Sequence, residues 1–522
     1  MTNHKVVLDF IGHTDFAAAI RPSYHCPGAA KLAACFNYFR RQNPEGTLVL
    51  DAGDILCGGP IINLTHGEPV VDIVNLFNYE AMTLGNHEFD FGREIMRQTL
   101  SRARFPLLCA NIIEKETGEL LDFVRPYIMV EKTGVRIGIL GVTTEYTPYM
   151  VKASAFEPFA VLDPVEVCRN LIPRMRQEGA DIIVVLGHLP GTVSGDGQMT
   201  GELFRVAREV EGIDLLFGGH NPGDVAVNLN GTCISKTGFS AFSIGHVQLE
   251  FDRQTRQVRC LKNEIVPVMR SDLPLEPDPA VAAAVEQALQ PYTAVLDEVL
   301  GEAEDDLVVT REGEFALGNF FTDCMKEACG TQIGLMNSTS CFGYIPRGPV
   351  TAEMIMWVMC FNDHLYRGEL TGAQIRAVFE LTCTAKHQEL NGGLQFSGLR
   401  VVVDSRRPEG ERVLSIILED GTPVEESGRY SAATSAYLAS GGNGYREIFA
   451  PTKWEKTGHL THPVFIEAFR RRGRLSAAAE GRFVDLAGEP TRVIVSPAYQ
   501  TKDDLLMGGS AKEKGYFTQE QA

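Results

Sequence analysis

Four apolar runs in the first half of the chain end in glycine, and each is followed by a side chain that can bind a metal ion. The runs end in Gly53-Asp54, Gly85-Asn86, Gly187-His188 and Gly219-His220. Ligands bind at the carboxyl ends of strands in open α/β sheets, and glycine there lets the backbone turn sharply and approach an ion. One such ending would be an ordinary loop feature. Four of them predict a single metal site at the edge of a sheet.

Apolar runs alternate with amphipathic segments over residues 1–272, which predicts an α/β domain. Helices are predicted from Gly28 to Arg41 and from Asp163-Pro164 to near Gly179, and buried strands at 48–50, 182–186 and 215–217. A proline-rich and acidic stretch, an alanine-rich helix at 280–289 and Pro291 together predict a helical connector over residues 273–302. A second domain is expected over 303–490 and a loose polar tail over 491–522.

The charge balance argues against one class of partner. The formal net charge of −19 would repel the phosphates of a nucleic acid polymer, but it is compatible with a small phosphate ester held by a metal ion. The amino terminus lacks the layout of a signal peptide, and no segment reaches the roughly 20 apolar residues that span a bilayer. The twelve cysteines, without a C-x-x-C pair, are expected to be reduced thiols. The expectation is a cytoplasmic protein without a membrane contact.

The strand-end motifs follow the order found in calcineurin-like metallophosphatases, which this chain resembles. The string from Met82 to Asp90 is similar to the branch of 5'-nucleotidases and UDP-sugar hydrolases. This resemblance implies an α/β fold with an N-terminal metallophosphatase α/β/β/α sandwich over 1–272. It also implies a C-terminal α+β domain of the 5'-nucleotidase type, which binds substrate, over 303–490.

The resemblance also implies roles for individual residues. The implied metal ligands are Asp15, Asp54, Asn86, His188 and His220, and the implied catalytic pair is His87 and Asp90. Asp54 would bridge two ions. The imidazole would stabilise charge on the phosphoryl group or protonate the leaving oxygen, and the carboxylate would fix its tautomer. Mixed imidazole and oxygen ligands favour Mn, Fe, Zn or Co over Ca.

The first metal position departs from the family pattern. The family has Asp-x-His where this chain has Asp15 and Ala17, and it has histidine or glutamine where this chain has Pro222. Three interpretations stay open at this point. His13, His25 or Asn221 replaces the lost ligands; the chain holds one ion and hydrolyses weakly or differently; or it has lost catalysis and kept a binding role. One tightly held ion is expected, with a doubtful second site.

The second domain resembles the family's substrate-binding domain but also departs from it. The residues that match its binding positions are Asn337, Phe361, Tyr437 and Asn443. In the family two aromatic rings, matched by Phe361 and Tyr437, sandwich a nucleobase; without the resemblance both rings read equally well as core. The departures are Phe342 in place of an arginine, Asn443 in place of a ribose-binding aspartate, and Glu314 near an expected arginine. A phenylalanine cannot supply the bidentate recognition of an arginine, which argues against ordinary nucleoside monophosphates as substrates.

The function predicted from these features is metal-dependent hydrolysis of a phosphate ester or anhydride of a small, nucleotide-like molecule. Two alternatives remain: a catalytically weak or inactive ligand-binding protein on the same scaffold, and a hydrolase of a different ester, such as a sulfur-containing one. The predicted partner is a small phosphate ester, and the sequence predicts no oligomeric state.

Overall fold

A computed structural model describes residues 4–23, 25–269, 275–310, 313–384, 393–478 and 480–487. The described residues form two compact units, the first ending at Gln290 and the second beginning at Pro291. The predicted tail over 491–522 lies outside the described residues. Each unit mixes helices and strands, so the α/β class predicted from the sequence is confirmed.

The first unit contains sixteen strands among its described residues. They are β1 (Lys5–His13), β2 (Thr47–Asp51), β3 (Ala81–Thr83), β4 (Leu107–Leu108), β5 (Ile112–Glu114), β6 (Tyr127–Lys132), β7 (Val135–Thr143), β8 (Phe159–Val161), β9 (Ile182–His188), β10 (Thr192–Val193), β11 (Met199–Thr200), β12 (Leu215–Gly218), β13 (Val225–Leu229), β14 (Thr232–Lys236), β15 (Ser243–Asp252) and β16 (Val258–Pro267).

Nine α-helices belong to the same described part. They are α1 (Ala29–Gln42), α2 (Pro60–Thr65), α3 (Glu68–Val74), α4 (Arg93–Leu100), α5 (Thr147–Met150), α6 (Ala153–Phe156), α7 (Pro164–Gln177), α8 (Glu202–Glu209) and α9 (Pro279–Leu289). The predicted helices at 28–41, 163–179 and 280–289 are confirmed as α1, α7 and α9. The Asp163 side chain accepts a hydrogen bond from the backbone N–H of Val165, which explains where α7 begins.

Two six-stranded sheets form the centre of the first unit. Their orders are β16-β15-β1-β2-β3-β4 and β13-β14-β12-β9-β7-β6. The strands β1 to β4 run parallel in the first sheet, as do β7, β9, β12 and β14 in the second. The two sheets share one core, which includes the fully buried Phe10, Leu48, Leu186 and Leu215. The carboxyl ends of parallel strands from both sheets can therefore supply ligands to one site.

One pair of cysteines corrects the sequence-based expectation. Cys233 on β14 and Cys260 on β16 form a disulfide with Cα atoms 6.7 Å apart, so the prediction that all twelve thiols are reduced is wrong for this pair. β14 belongs to the second sheet and β16 to the first, and the two strands are in contact. A sequence separation of 27 residues gives no sign of this contact.

The second unit is described separately. Its strands are β17 (Val299–Ala303), β18 (Leu307–Val308), β19 (Ile333–Asn337), β20 (Tyr344–Ile345), β21 (Gly348–Thr351), β22 (His364–Thr371), β23 (Leu394–Ser397), β24 (Leu399–Val403), β25 (Val413–Leu418), β26 (Arg429–Ser435), β27 (Glu455–Leu460), β28 (Arg474–Leu475) and β29 (Phe483–Asp485). Its helices are α10 (Thr293–Leu296), α11 (Ala316–Cys329), α12 (Ala352–Val358), α13 (Gly372–Thr382), α14 (Ala436–Ala439), α15 (Arg446–Phe449) and α16 (Thr461–Arg472).

A five-stranded sheet of order β23-β19-β26-β22-β27 is the largest of the second unit. α11 packs against β19 and β23 and buries Leu317, Phe320 and Phe321. Across the parts of the chain that the structure describes, the helices are all too short or too polar to cross a membrane.

Candidate metal centre

Four of the predicted metal ligands converge at the carboxyl ends of the strands. Nε2 of His188, the last residue of β9, lies 3.1 Å from Oδ2 of Asp54 and 3.1 Å from Oδ1 of Asn86. The same Asn86 oxygen lies 2.8 Å from Nδ1 of His220. Asp54, Asn86 and His188 are almost completely buried. Loops after β2, β3 and β12 thus deliver a carboxylate, an amide and an imidazole to the end of β9.

The hydrogen bonds of His188 and Asn86 show that these groups fit a cation. Nδ1 of His188 donates to the backbone carbonyl of Ala52 at 2.8 Å. In the neutral ring Nε2 therefore carries a lone pair, and this lone pair faces the oxygens of Asp54 and Asn86. The buried Nδ2 of Asn86 has no acceptor among the described residues, although its oxygen points into the cluster. Lone pairs that meet in this way suit a transition metal, and the Ala52 carbonyl is a typical outer partner of a metal-binding histidine.

Burial and neighbouring charges shift the pKa values of His188, His220 and Asp54. Burial opposes charge on His188, but the carboxylate of Asp54 raises the pKa of His188 to about 9. Burial and the neighbouring charge of His188 lower the pKa of His220 to about 3. Burial disfavours the charged form of Asp54, yet His188 and His87 hold its pKa well below the usual value.

A buried carboxylate holds the loops after β2 and β3 together. Oε2 of Glu88 accepts the backbone N–H groups of Asp54 and Gly85 at 3.0 and 2.6 Å, and Oε1 accepts those of Ile55 and Leu56 at 2.8 and 3.2 Å. Asp54 itself has φ 64°, a left-handed conformation that costs energy in a residue other than glycine. The four bonds to Glu88 stabilise this conformation. Glu88 lies within the motif around His87, but the motif alone does not predict this structural role.

His87 and Asp90 form the predicted pair beside the cluster. Nδ1 of His87 lies 2.8 Å from Oδ2 of Asp90, and the backbone N–H of His87 donates to Oδ1 of Asp54 at 2.8 Å. Burial opposes protonation, but the charges of Asp90 and Asp54 raise the pKa of His87 to about 10. The two carboxylates therefore favour an imidazolium next to Asp54 at neutral pH.

Asp15 follows β1 and is buried behind His220. Its Oδ2 accepts the backbone N–H of His220 at 3.0 Å and the hydroxyl of Thr14 at 2.7 Å. Burial and the negative charge of Asp54 raise the pKa of Asp15 to about 6, against the opposing effect of His188. Asp15 thus positions the His220 backbone in addition to presenting a carboxylate.

The three candidates for replacing the lost ligands lie in other surroundings. Nε2 of His13 lies 2.6 Å from the hydroxyl of Tyr79, in a buried aromatic group. The side chain of Asn221 accepts from the backbone of Gly191 and donates to the hydroxyl of Thr192. His25 is buried, which lowers its pKa to about 4. Among the described residues, neither His13 nor His25 belongs to a group of side chains spaced for metal binding.

Cys57, which was not among the predicted ligands, lies close to Asp54 and His87. One ligand atom each from Asp54, Cys57 and His87 lies within 4.8 Å of the other two, just as in the group of Asp54, His188 and His220. Burial and the carboxylates of Asp54 and Asp15 raise the pKa of the Cys57 thiol in the metal-free protein. Cys57 lies outside the predicted ligand set, and its position three residues after Asp54 is the only signal of this contact in the sequence.

The predicted polar residues of the second unit form a hydrogen-bonded chain. The Tyr437 hydroxyl donates to Oδ1 of Asn443 at 2.8 Å, and the amide groups of Asn443 and Asn337 donate to the Thr339 hydroxyl at 3.3 and 2.7 Å. A side-chain carbon at Gly442 would lie 2.5 Å from the Tyr437 ring, so glycine is required there. The ring and the two asparagines are thereby held in one place.

Asp363 connects the segment that carries Phe361 to this hydrogen-bonded chain. The Asp363 carboxylate accepts the backbone N–H of Tyr437 at 3.0 Å. Phe361 lies two residues before Asp363 and is half-buried.

Glu314 accepts a hydrogen bond from the side-chain amide of Asn319 at 2.6 Å and another from the backbone N–H of Arg482 at 2.8 Å. Glu314 therefore binds other residues of the second unit, whereas the arginine expected near this position would face a substrate.

Comparison with known proteins agrees with this geometry. A family model described as calcineurin-like phosphoesterase matches residues 13–224, and one described as 5'-nucleotidase, C-terminal domain, matches residues 299–450. Together they cover more than half of the chain, in the order that the two units have. The chain belongs to the 5'-nucleotidase family of calcineurin-like phosphoesterases.

Relatives within the 5'-nucleotidase family extend over most of the chain. A 5'-nucleotidase precursor from Thermus thermophilus has 27% identity and a TM-score of 0.80, covering 93% of this chain and 100% of its own. The snake venom 5'-nucleotidase of Naja atra is 26% identical over 509 residues, 88% of this chain and 93% of its own length. The trifunctional nucleotide phosphoesterase protein YfkN of Bacillus subtilis is 26% identical over 514 residues. The matched region is 34% of the length of YfkN.

Proposed function

We propose that this chain hydrolyses phosphate esters or anhydrides of small, nucleotide-like molecules with the help of a divalent transition metal. The observation that carries the proposal is the convergence of Asp54, Asn86, His188 and His220, in which Nε2 of His188 faces two oxygens at 3.1 Å. The motifs around these residues belong to a family of phosphoesterases, and relatives along most of the chain are named 5'-nucleotidases.

The residues around the centre suit phosphoryl transfer. A bound transition metal supplies Lewis acidity to a phosphate ester. The His87 imidazole, oriented by Asp90 at 2.8 Å, puts positive charge beside Asp54, where it stabilises negative charge on the transferred phosphoryl group. The bonds from Glu88 and Ala52 hold the ligands in place before substrate arrives, so little reorganisation is needed during the reaction.

The second unit carries groups that suit a nucleoside-like molecule. Phe361 and Tyr437 offer two aromatic faces, and Asn443 and Asn337 offer polar groups in fixed positions beside Tyr437. Phe342 supplies no charged group at the position where the family has an arginine, which favours a substrate that differs from the ordinary nucleoside monophosphates. The alternative functions are a ligand-binding role with weak or no catalysis and hydrolysis of a different ester, such as a sulfur-containing one.

His188→Ala tests the proposal directly. We expect this variant to lose its tight metal ion, with affinity falling by more than the roughly 10–100-fold that loss of an outer partner costs. Metal analysis after dialysis and turnover of an aryl phosphate with Mn²⁺ are the measurements, and His459→Ala, an exposed histidine of β27, is the control. A wild-type protein that binds metal tightly and hydrolyses no member of a nucleotide and aryl phosphate panel would favour the binding role.

Phe361→Ala tests the aromatic clamp. Stacking of a base on an aromatic ring contributes about 1–3 kcal/mol, so adenosine should bind about 5–150-fold more weakly to this variant. Calorimetric titration measures the change, and Tyr149→Ala, which removes an exposed ring from the first unit, should leave it unaltered. Equal affinities for Phe361→Ala and wild type would assign the ring to the core instead.

A further inference from the structure

Cys57 differs from the other thiols of the chain. All twelve cysteines lie among the described residues, and of the ten outside the disulfide only Cys57 is partly exposed. Its sulfur, a carboxylate oxygen of Asp54 and a ring nitrogen of His87 lie within 4.8 Å of one another. This spacing suits three ligands of one ion, and the mixture of sulfur, oxygen and nitrogen is a common donor set for transition metals.

The backbone around Ala17 explains why Cys57 lies so close to Asp54. The N–H of Ala17 donates to the carbonyl of Asp54 at 3.1 Å, and the N–H of Gly59 donates back to the carbonyl of Ala17 at 2.8 Å. A side-chain carbon at Gly58 would lie 2.9 Å from Cβ of Ala17. The segment that carries Cys57 therefore packs directly against the residue where the family has a histidine ligand. The thiol of Cys57 is therefore carried by the segment that packs against Ala17, the position where the family has an imidazole.

We propose that Cys57, together with Asp54 and His87, binds a second divalent transition metal ion through its thiolate. The proposal rests on the metal centre described under Proposed function, because Asp54 is shared between the two positions. It differs from the family pattern, in which neither Cys57 nor His87 is a ligand.

Several contacts favour an ion at this position. Three protein ligands leave one coordination position open for water or substrate, as in catalytic zinc sites. Asp90 contacts Nδ1 of His87 at 2.8 Å, which is the outer carboxylate that metal-binding histidines commonly have. A thiolate selects Zn²⁺, Co²⁺ or Fe²⁺ over Mg²⁺ and Mn²⁺. When the ion is bound, it supplies the positive charge that the His87 imidazolium supplies in its absence.

Cobalt titration tests the proposal on the full chain. Protein stripped by a chelator is titrated with Co²⁺ while the thiolate-to-cobalt charge-transfer absorption in the near ultraviolet is followed. We expect wild type to bind two equivalents and to show this absorption. Cys57→Ser should bind one equivalent and lose the absorption. The control Cys168→Ala, which alters a buried cysteine of α7, should behave like wild type.

Two further measurements separate the possible outcomes. Bound Co²⁺ or Zn²⁺ should protect Cys57 from alkylation, read by peptide mass, so the test does not depend on how well Cys57→Ser folds. Absence of the absorption in wild type, or its survival in Cys57→Ser, would overturn the proposal. A protein that shows the absorption but hydrolyses no phosphate ester would support this site and contradict the proposed function. A protein that hydrolyses phosphate esters without the absorption would contradict this site and leave the proposed function intact.

Discussion

We expect His87→Ala to lower kcat for phosphate esters by about 10²–10⁴-fold, the usual contribution of a positioned acid–base or charge-stabilising group. The variant removes the positive charge that lies beside Asp54, whether an imidazolium or an ion coordinated by His87 provides it. Steady-state turnover of an aryl phosphate measures the effect, with His459→Ala as the matched control. Turnover within a few-fold of wild type would contradict any role for His87 in the reaction.

Metal content separates the two roles that the structure allows for His87. As a charge-stabilising group alone, His87 can be removed without loss of either ion. As a ligand with Cys57, it cannot, and His87→Ala should lose the near-ultraviolet absorption of the cobalt protein. The pKa of about 10 in the metal-free protein means that the imidazolium persists through neutral pH and is lost only as the pH rises toward 10.

We expect Glu88→Gln to lower the free energy of unfolding more than any other substitution proposed for this protein. Each oxygen of Glu88 accepts two buried backbone N–H groups, and an amide keeps only one of the oxygens as an acceptor. Two donors then lose their partner, at about 1–3 kcal/mol each, so the free energy of unfolding should fall by about 2–6 kcal/mol. Chemical denaturation of the full chain measures this fall.

Glu94→Gln is the control for this change, because Glu94 is an exposed glutamate at the start of α4. We expect it to alter the free energy of unfolding by no more than about 0.5 kcal/mol. A Glu88→Gln variant as stable as Glu94→Gln would show that water can replace the lost acceptor. Loss of the bonds to Glu88 should also weaken metal binding at Asp54, since the loops on both sides of the ligand are no longer held.

Sequence patterns predicted much of the first unit because the signals there are local. α1 buries Leu32, Cys35, Phe36 and Phe39, which recur at helical spacing, and α7 begins at an aspartate followed by proline. The strand-end motifs also predicted which side chains would meet, since parallel strands present their carboxyl ends at one edge. The roles assigned to those side chains remain predictions.

The features that sequence patterns did not predict depend on contacts between distant segments. Cys57 approaches Asp54 and His87 because the backbone of Ala17 pairs with that of Gly59. Glu88 acts on a loop more than thirty residues away. The disulfide joins strands of different sheets. No periodicity or local spacing records such contacts, so they become visible only when the loops are seen together.

The buried ammonium of Lys236 holds the loop that follows His220. Its Nζ donates to the carbonyls of Asn221, Pro222 and Gly223, with 2.7 Å to the first and 3.3 Å to the second. This loop is held by its carbonyl groups, so a proline, which lacks an N–H, fits without breaking a bond. A substitution at position 222 should therefore leave His220 in place. Asp15 is a second anchor of the same ligand, since its carboxylate accepts the backbone N–H of His220 at 3.0 Å. Two buried side chains, Asp15 and Lys236, rather than the side chain at position 222, therefore fix where His220 lies.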